Sequence, residues 1–161
     1  MLAFAIAVKV RGDLPHASFS TQGFRGEVIN AQLRHSGALV RVFPLPPDRD
    51  RAAAAAFTRR VARLASEGVS PIVTPDGPFG PAHVAKPGAL IIARESGLPI
   101  QPWAFDLHPS LRLTGRWDRM LLPLPFSRIR VRLGEPMRVG SRDRLRPRLA
   151  ELQLAMEELS D

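Results

Sequence analysis

The amino-acid sequence predicts an α/β fold with a mostly parallel central sheet flanked by helices. Short apolar runs typical of strands alternate along the chain with segments whose apolar residues recur every three or four positions. Prolines and glycines separate the two kinds of segment. The length of 161 residues, 45% of them hydrophobic, fits one domain over residues 1–161 with a single core.

The first half of the chain is predicted to hold an apolar helix end, a weak strand, a helix, a strand and a second helix, at residues 2–10, 16–20, 24–36, 38–43 and 51–67. Local signals mark both ends of the last helix, because Asp50 can cap its first turn and Gly68 can end it. Arg59, Arg60 and Arg63 lie off its apolar stripe, which favours a solvated face over a phosphate-binding surface.

The second half is predicted to hold a short buried strand, a helix from Pro87, an irregular or edge strand, a long surface excursion, a strand and a helix from Pro147. The strands lie at residues 72–74, 98–105 and 128–133, and the excursion at residues 108–125. Arginines alternate with apolar residues in the last strand, as in a strand with one buried face.

A rigid turn at residues 75–81, Pro-Asp-Gly-Pro-Phe-Gly-Pro, follows the short buried strand. Three prolines and two glycines restrict its backbone, and Asp76 is its one ionisable residue. A carboxylate on a stiff loop after a strand is the usual place for a site in an open α/β sheet. The alternative is that Asp76 only caps its own turn through an Asx hydrogen bond.

The composition limits the function. A net charge of +8 and a sequence pI near 11.5 imply attraction to phosphate, of nucleic acid or of an anionic lipid surface. The absence of cysteine excludes disulfides, thiolate metal sites and a cysteine nucleophile. Phosphate-binding loops, the dinucleotide fingerprint and the serine-hydrolase elbow are missing. Nucleic-acid binding is disfavoured because aromatic residues do not interleave with the basic ones.

The segment TPDGPFGPAHVAKPGAL from Thr74, followed by ARESGLPI from Ala93, closely resembles the lysophospholipid acyltransferase superfamily. The nearest match is a bacterial branch long described as a domain of unknown function, with a Pro-Asp-Gly-Pro-x-Gly-Pro turn. The segments RWDR from Arg116, PLPFS from Pro123 and GEP from Gly134 are similar to that branch as well. The resemblance covers residues 16–139.

The resemblance implies transfer of a fatty acyl group from an acyl-carrier-protein or coenzyme A thioester to a hydroxyl of a phospholipid or glycolipid acceptor. The thioester is a co-substrate, and no bound cofactor is expected. By the same resemblance, Asp76, Gly77 and Pro78 belong to the acceptor site, Arg41 is the nearest candidate for contacting the acceptor phosphate, and Lys86 assists. A glycerolipid-acyltransferase-like fold and a peripheral position on the cytoplasmic face of the inner membrane are expected.

The superfamily uses a His-x-x-x-x-Asp motif as general base, and this chain departs from it. The residues five positions after its four histidines, His16, His35, His83 and His108, are Thr21, Val40, Gly88 and Leu113. We therefore identify no catalytic residue and expect the base, and the N-terminal element that carries it, upstream of Met1. Without a base, acyl transfer should be nearly absent. The alternative function is a non-catalytic module that binds anionic lipid.

Overall fold

A computed structural model describes residues 15–20, 31, 40–46, 50–77, 80–115, 119 and 121–160. The predicted helix end at residues 2–10 and all but residue 31 of the predicted helix at 24–36 lie outside this part of the chain. The structure divides into two compact units, one of Met1–Val73 with Ile91–Leu98 and one of Thr74–Leu90 with Pro99–Asp161. The expectation of a single domain stays a prediction.

The first unit contains a three-stranded parallel sheet. Strand β1, His16–Ser20, lies in the middle, with β2, Val40–Pro44, on one side and β3, Ser70–Ile72, on the other. His16 is level with Val40 and with Ser70, so all three strands begin at the same edge. The predicted parallel arrangement is confirmed for these strands. The predicted strand at residues 72–74 is displaced, because pairing with β1 begins at Ser70.

Helix α1, Arg51–Ser66, has the ends that its sequence predicts. Asp50 accepts a hydrogen bond from the Ala53 N–H at 2.9 Å, which satisfies one of the free donors of the first turn. Gly68 has a φ of 86° and donates to Ala65, and Val69 donates to Leu64, which is the Schellman arrangement that ends many helices.

Aromatic rings join α1 to the sheet. Phe57 of α1 meets Phe19 of β1 edge to face, with ring centroids 5.0 Å apart, and Phe19 lies 6.1 Å from Phe43 of β2. The guanidinium of Arg60 stacks over Phe43 at 5.0 Å. One of the three arginines for which a solvated face was favoured therefore contributes a cation–π contact to the packing of this unit.

Helix α2, Gly88–Ser96, follows Pro87 as predicted and ends at Gly97, which has a φ of 73°. Leu90 is fully buried, and Ile92 and Ala93 are almost so. Pro87 is well placed before this helix, because its fixed φ suits a helix start and it has no N–H to leave unpaired.

The second unit contains an antiparallel hairpin that the sequence did not predict. Strand β4 is Trp103–Arg112 and strand β5 is Leu121–Leu133. The expected surface excursion at residues 108–125 was therefore wrong for most of its length. The expected strand at 98–105 begins later, since before Trp103 only an isolated bridge joins Ile100 to Met137.

The C-terminal helix α3, Leu145–Ser160, packs on β4 and starts close to the predicted position. Leu152 is its buried anchor. The helix also approaches the end of β5, because a Cβ on Gly134 would lie 3.1 Å from a methyl carbon of Leu159 and 3.4 Å from Pro102. None of the helices in the described part of the chain is long and apolar enough to cross a bilayer.

Candidate functional site

The predicted site begins with a β-turn at residues 74–77. The Gly77 N–H donates to the Thr74 carbonyl at 3.1 Å. Such turns favour proline in the second position and glycine in the fourth. Gly77 has a φ of 71°, a backbone conformation that is strained for residues with a side chain. The turn fixes the backbone of Asp76, whose side chain is partly buried.

Two further hydrogen bonds close the chain after this turn into a loop. The Lys86 N–H donates to the Pro75 carbonyl at 2.8 Å, so the ends of the loop are tied together. Inside it, the Asp76 carboxylate accepts a long bond, 3.4 Å, from the His83 N–H. An Asx turn would need an N–H on residue 78, which is a proline. The Asp76 side chain thus bonds to the backbone of its own loop, but seven positions away and not in an Asx turn.

The side chain of Lys86 lies across Gly77. If residue 77 had a Cβ, this atom would be 3.3 Å from the Lys86 ammonium nitrogen and 3.4 Å from its Cδ. Glycine therefore leaves the space that the lysine occupies. The ammonium has no ion-pair partner among the described residues, so its charge is available to an anion. The loop brings together three of the predicted residues, Asp76, Gly77 and Lys86.

Gln153 of α3 holds the same loop from outside, and sequence reasoning missed it. Its side-chain oxygen accepts from the Ala85 N–H at 2.8 Å, and its side-chain nitrogen donates to the His83 carbonyl at 2.7 Å. The Gln153 amide therefore forms hydrogen bonds with two backbone groups in residues 83–85, which belong to no helix or strand. His83 itself has a φ of 62°, an uncommon backbone conformation outside glycine.

The other predicted site residues have different places. Pro78 lies outside the described residues. Arg41 is the second residue of β2 and is level with Ala17 of β1, in the first unit. It is thus near the edge where the parallel strands begin, whereas ligands of open α/β sheets usually bind at the edge where strands end.

The described histidines do not form a catalytic pair or a metal site. His16 starts the central strand β1 and is buried, with no hydrogen-bond partner at Nδ1 among the described residues. His108 is exposed on β4 and lies level with Arg128. His83 is exposed in the Asp76 loop. Within the described part of the chain, no group of three histidine or acidic residues could hold a metal ion.

Comparison with known proteins finds an uncharacterized protein of Rickettsia prowazekii (strain Madrid E) that is 30% identical over 112 residues. These residues are 70% of this chain and 49% of the relative, so the chain spans about half the length of the curated relative it matches. No protein-family model matches the chain, and no solved structure matches it significantly. The relative's description includes no activity, so the comparisons assign none to this chain.

Proposed function

We propose that this chain is an acyltransferase-family protein, similar to the lysophospholipid acyltransferase superfamily and with its fold. Its reaction would move a fatty acyl group from an acyl-carrier-protein or coenzyme A thioester to a hydroxyl of a phospholipid or glycolipid. The acceptor would lie in an anionic membrane surface, and the proposed location of the protein is the cytoplasmic face of the inner membrane. The acyl donor is a co-substrate.

The observation that carries this proposal is the Lys86 ammonium, which lies over Gly77 and has no ion-pair partner among the described residues. A fixed cation suits the phosphate of a lipid headgroup, and a neighbouring carboxylate suits its hydroxyl groups. Two contacts restrain the loop in the absence of a ligand, because the Pro75 carbonyl accepts a hydrogen bond from Lys86 and the Gln153 amide accepts one from Ala85. A rigid site loses less conformational entropy when it binds.

The proposed reaction requires both acceptor binding and proton transfer. The acceptor oxygen attacks the thioester carbonyl carbon, the carbon–sulfur bond breaks, and the hydroxyl proton must pass to a base. No histidine of this chain stands five residues before an aspartate. We therefore assign acceptor binding to the Asp76 loop and assign proton transfer to none of its residues. The rate should be lower by roughly 10²- to 10⁴-fold than with a positioned base.

Binding of a monomeric short-chain lysophosphatidate, measured by calorimetry, tests the acceptor site. Lys86→Gln should weaken binding by roughly tenfold or more, since a hydrogen bond to a charged group is lost. Lys86→Arg should retain most of the affinity. Arg146→Gln removes an equal charge from an exposed position on α3 and should have little effect. Equal affinity of the Lys86→Gln variant and the wild type would exclude this loop as the acceptor site.

Product formation then separates the two candidate functions. The chain is incubated with lysophosphatidate and either thioester, and phosphatidate is measured against a protein-free control. Acyl transfer by the wild type that is lost in the Asp76→Asn variant would support an enzyme. Acceptor binding that depends on Lys86 without any transfer supports the alternative, a non-catalytic module for anionic lipid, which the charge of +8 also favours.

A further inference from the structure

The β4–β5 hairpin contains an irregularity that exposes one aromatic ring. Ser110 is level with Pro123, whereas His108 is level with Arg128. Residues 124–127 therefore stand opposite the single residue Pro109. Such bulges interrupt a ladder and redirect side chains. The side chain of Phe126, inside this bulge, is 100% exposed.

The bulge is an ordered feature. The Ser127 hydroxyl lies 2.6 Å from the carbonyl oxygens of both Pro109 and Leu124, and it can donate a shared hydrogen bond to them. Phe126 has a φ of 66°, which is rare for a large side chain and costs roughly 1–3 kcal/mol. An exposed phenylalanine in a costly conformation contributes nothing to packing, which points to a ligand.

The hairpin that contains Phe126 has both apolar and cationic exposed side chains. Leu111 and Leu122 face each other across the two strands, and Leu124 precedes Phe126, all three substantially exposed. Asp106 of the hairpin pairs with Arg132. From residue 106 to residue 132 the sequence has two acidic residues, Asp106 and Asp118, and six arginines: Arg112, Arg116, Arg119, Arg128, Arg130 and Arg132. Of these, Arg112, Arg119, Arg128 and Arg130 have exposed positions in the structure.

We propose that the bulge and the adjoining part of the hairpin dock onto an anionic lipid bilayer, with Phe126 and the leucines entering the interface and the arginines contacting lipid phosphates. Apolar side chains among cations match the two layers of such a surface, acyl chains beneath anionic headgroups. A protein partner of ordinary polarity would not require so one-sided a charge. This surface deepens the proposed function by naming how the protein reaches its lipid, and it needs no acyl transfer.

Co-sedimentation with vesicles of equimolar phosphatidylcholine and phosphatidylglycerol tests the proposal. Phe126→Asn should weaken binding by about tenfold, because a ring that enters the interface is lost. Asparagine tolerates a positive φ, so this variant should keep its fold. Phe126→Trp should restore binding, and brominated acyl chains should quench its added fluorescence. Arg128→Gln should cost roughly fivefold, and only with the anionic lipid.

Leu154→Gln is the matched control, since Leu154 is an exposed leucine on α3 in the same unit, and its vesicle binding should equal that of the wild type. Vesicle binding that is unchanged in Phe126→Asn would overturn the proposal. Equal binding to vesicles of phosphatidylcholine alone would remove its electrostatic part. If the wild type forms a dimer that Phe126→Asn dissociates, and vesicle binding is retained, the partner of this surface would instead be a second copy of the chain. Vesicle binding without lysophosphatidate binding would leave this proposal standing and reject the acceptor site.

Discussion

The side-chain amide of Gln153 forms two hydrogen bonds with the backbone of the Asp76 loop, one to the His83 carbonyl and one from the Ala85 N–H. The residues are about 70 positions apart in sequence, 70 for His83 and 68 for Ala85. The C-terminal helix α3 thus restrains residues 83–85 of the predicted acceptor loop, although it contributes no residue to the predicted site.

Gln153→Leu should loosen the loop. Two backbone groups lose their partners, so we expect a loss of about 1–3 kcal/mol of stability. Hydrogen exchange should accelerate at Ala85 and lysophosphatidate affinity should fall. Ser160→Ala is the control, since among the described residues that side chain bonds to Met156 within the same helix. Unchanged exchange at Ala85 would show that other contacts suffice to order the loop.

Gly77→Ala tests the position of the lysine. A φ of 71° strains alanine by roughly 1–2 kcal/mol, and the new methyl group, 3.3 Å from the Lys86 ammonium, would make it shift by a few tenths of an ångström. Both thermal stability and headgroup affinity should therefore fall. Gly88→Ala is the matched control, because nothing lies within 4 Å of an added Cβ there and alanine favours the helix. Equal affinities of the Gly77→Ala variant and the wild type would separate Lys86 from the acceptor.

Leu152→Ala should destabilise the second unit by about 2–5 kcal/mol, as truncation of a buried leucine leaves a cavity. Leu154, two residues further along the same helix, offers a direct comparison, since its exposure is 58% against 2% for Leu152. Leu154→Ala should change the midpoint of denaturant unfolding very little. Similar midpoints for the two variants would contradict the packing of α3.

Asp143 should make stability depend on pH at the start of α3. A hydrogen bond from the Gly140 N–H, and then one from Arg148, lower the pKa of this carboxyl below its ordinary value of 3.8. A lowered pKa in the folded state stabilises the protein above 3.8, and that contribution disappears as the pH falls through the folded-state pKa.

Thermal melting of the wild type and of Asp143→Asn from neutral pH into this acid range measures the effect. The wild type should melt at the higher temperature at neutral pH, and the difference should shrink below pH 3.8. High salt should reduce it in part, because Asp143 and Arg148 are both solvent-accessible. A difference that stays constant with pH would mean that the charge of Asp143 is unimportant.

Local signals in the sequence predict the elements whose ends are chemically marked. The cap at Asp50, the glycine at Gly68 and the proline at Pro87 place two helices almost to the residue. The hairpin was missed because Pro109, Pro123 and Pro125 suggest a loop and because three extra residues break the period of two. Turn residues predict structure within one segment of the sequence at a time. The pairing of β4 with β5 joins two segments, so these local signals do not predict it.

The candidate site likewise combines residues that a local motif predicts with one residue that it does not. Asp76, Gly77 and Lys86 lie within one segment, so a motif could indicate them together. Gln153 comes from a distant helix, yet it left one signal. It is a polar residue four positions after Leu149, on the side of α3 where the apolar stripe of Leu149, Leu152 and Met156 runs. A polar side chain in such a stripe usually has a partner.

The register of the hairpin also makes its bulge separable from the rest of the unit. Three residues removed from the segment 124–127 would leave one residue opposite Pro109, and the pairs on either side would keep their faces, because residues 123 and 128 would then be two positions apart. A shortened chain could thus form an uninterrupted ladder. By its register, the bulge is therefore a place where a peptide or label could be exchanged without changing the pairing on either side.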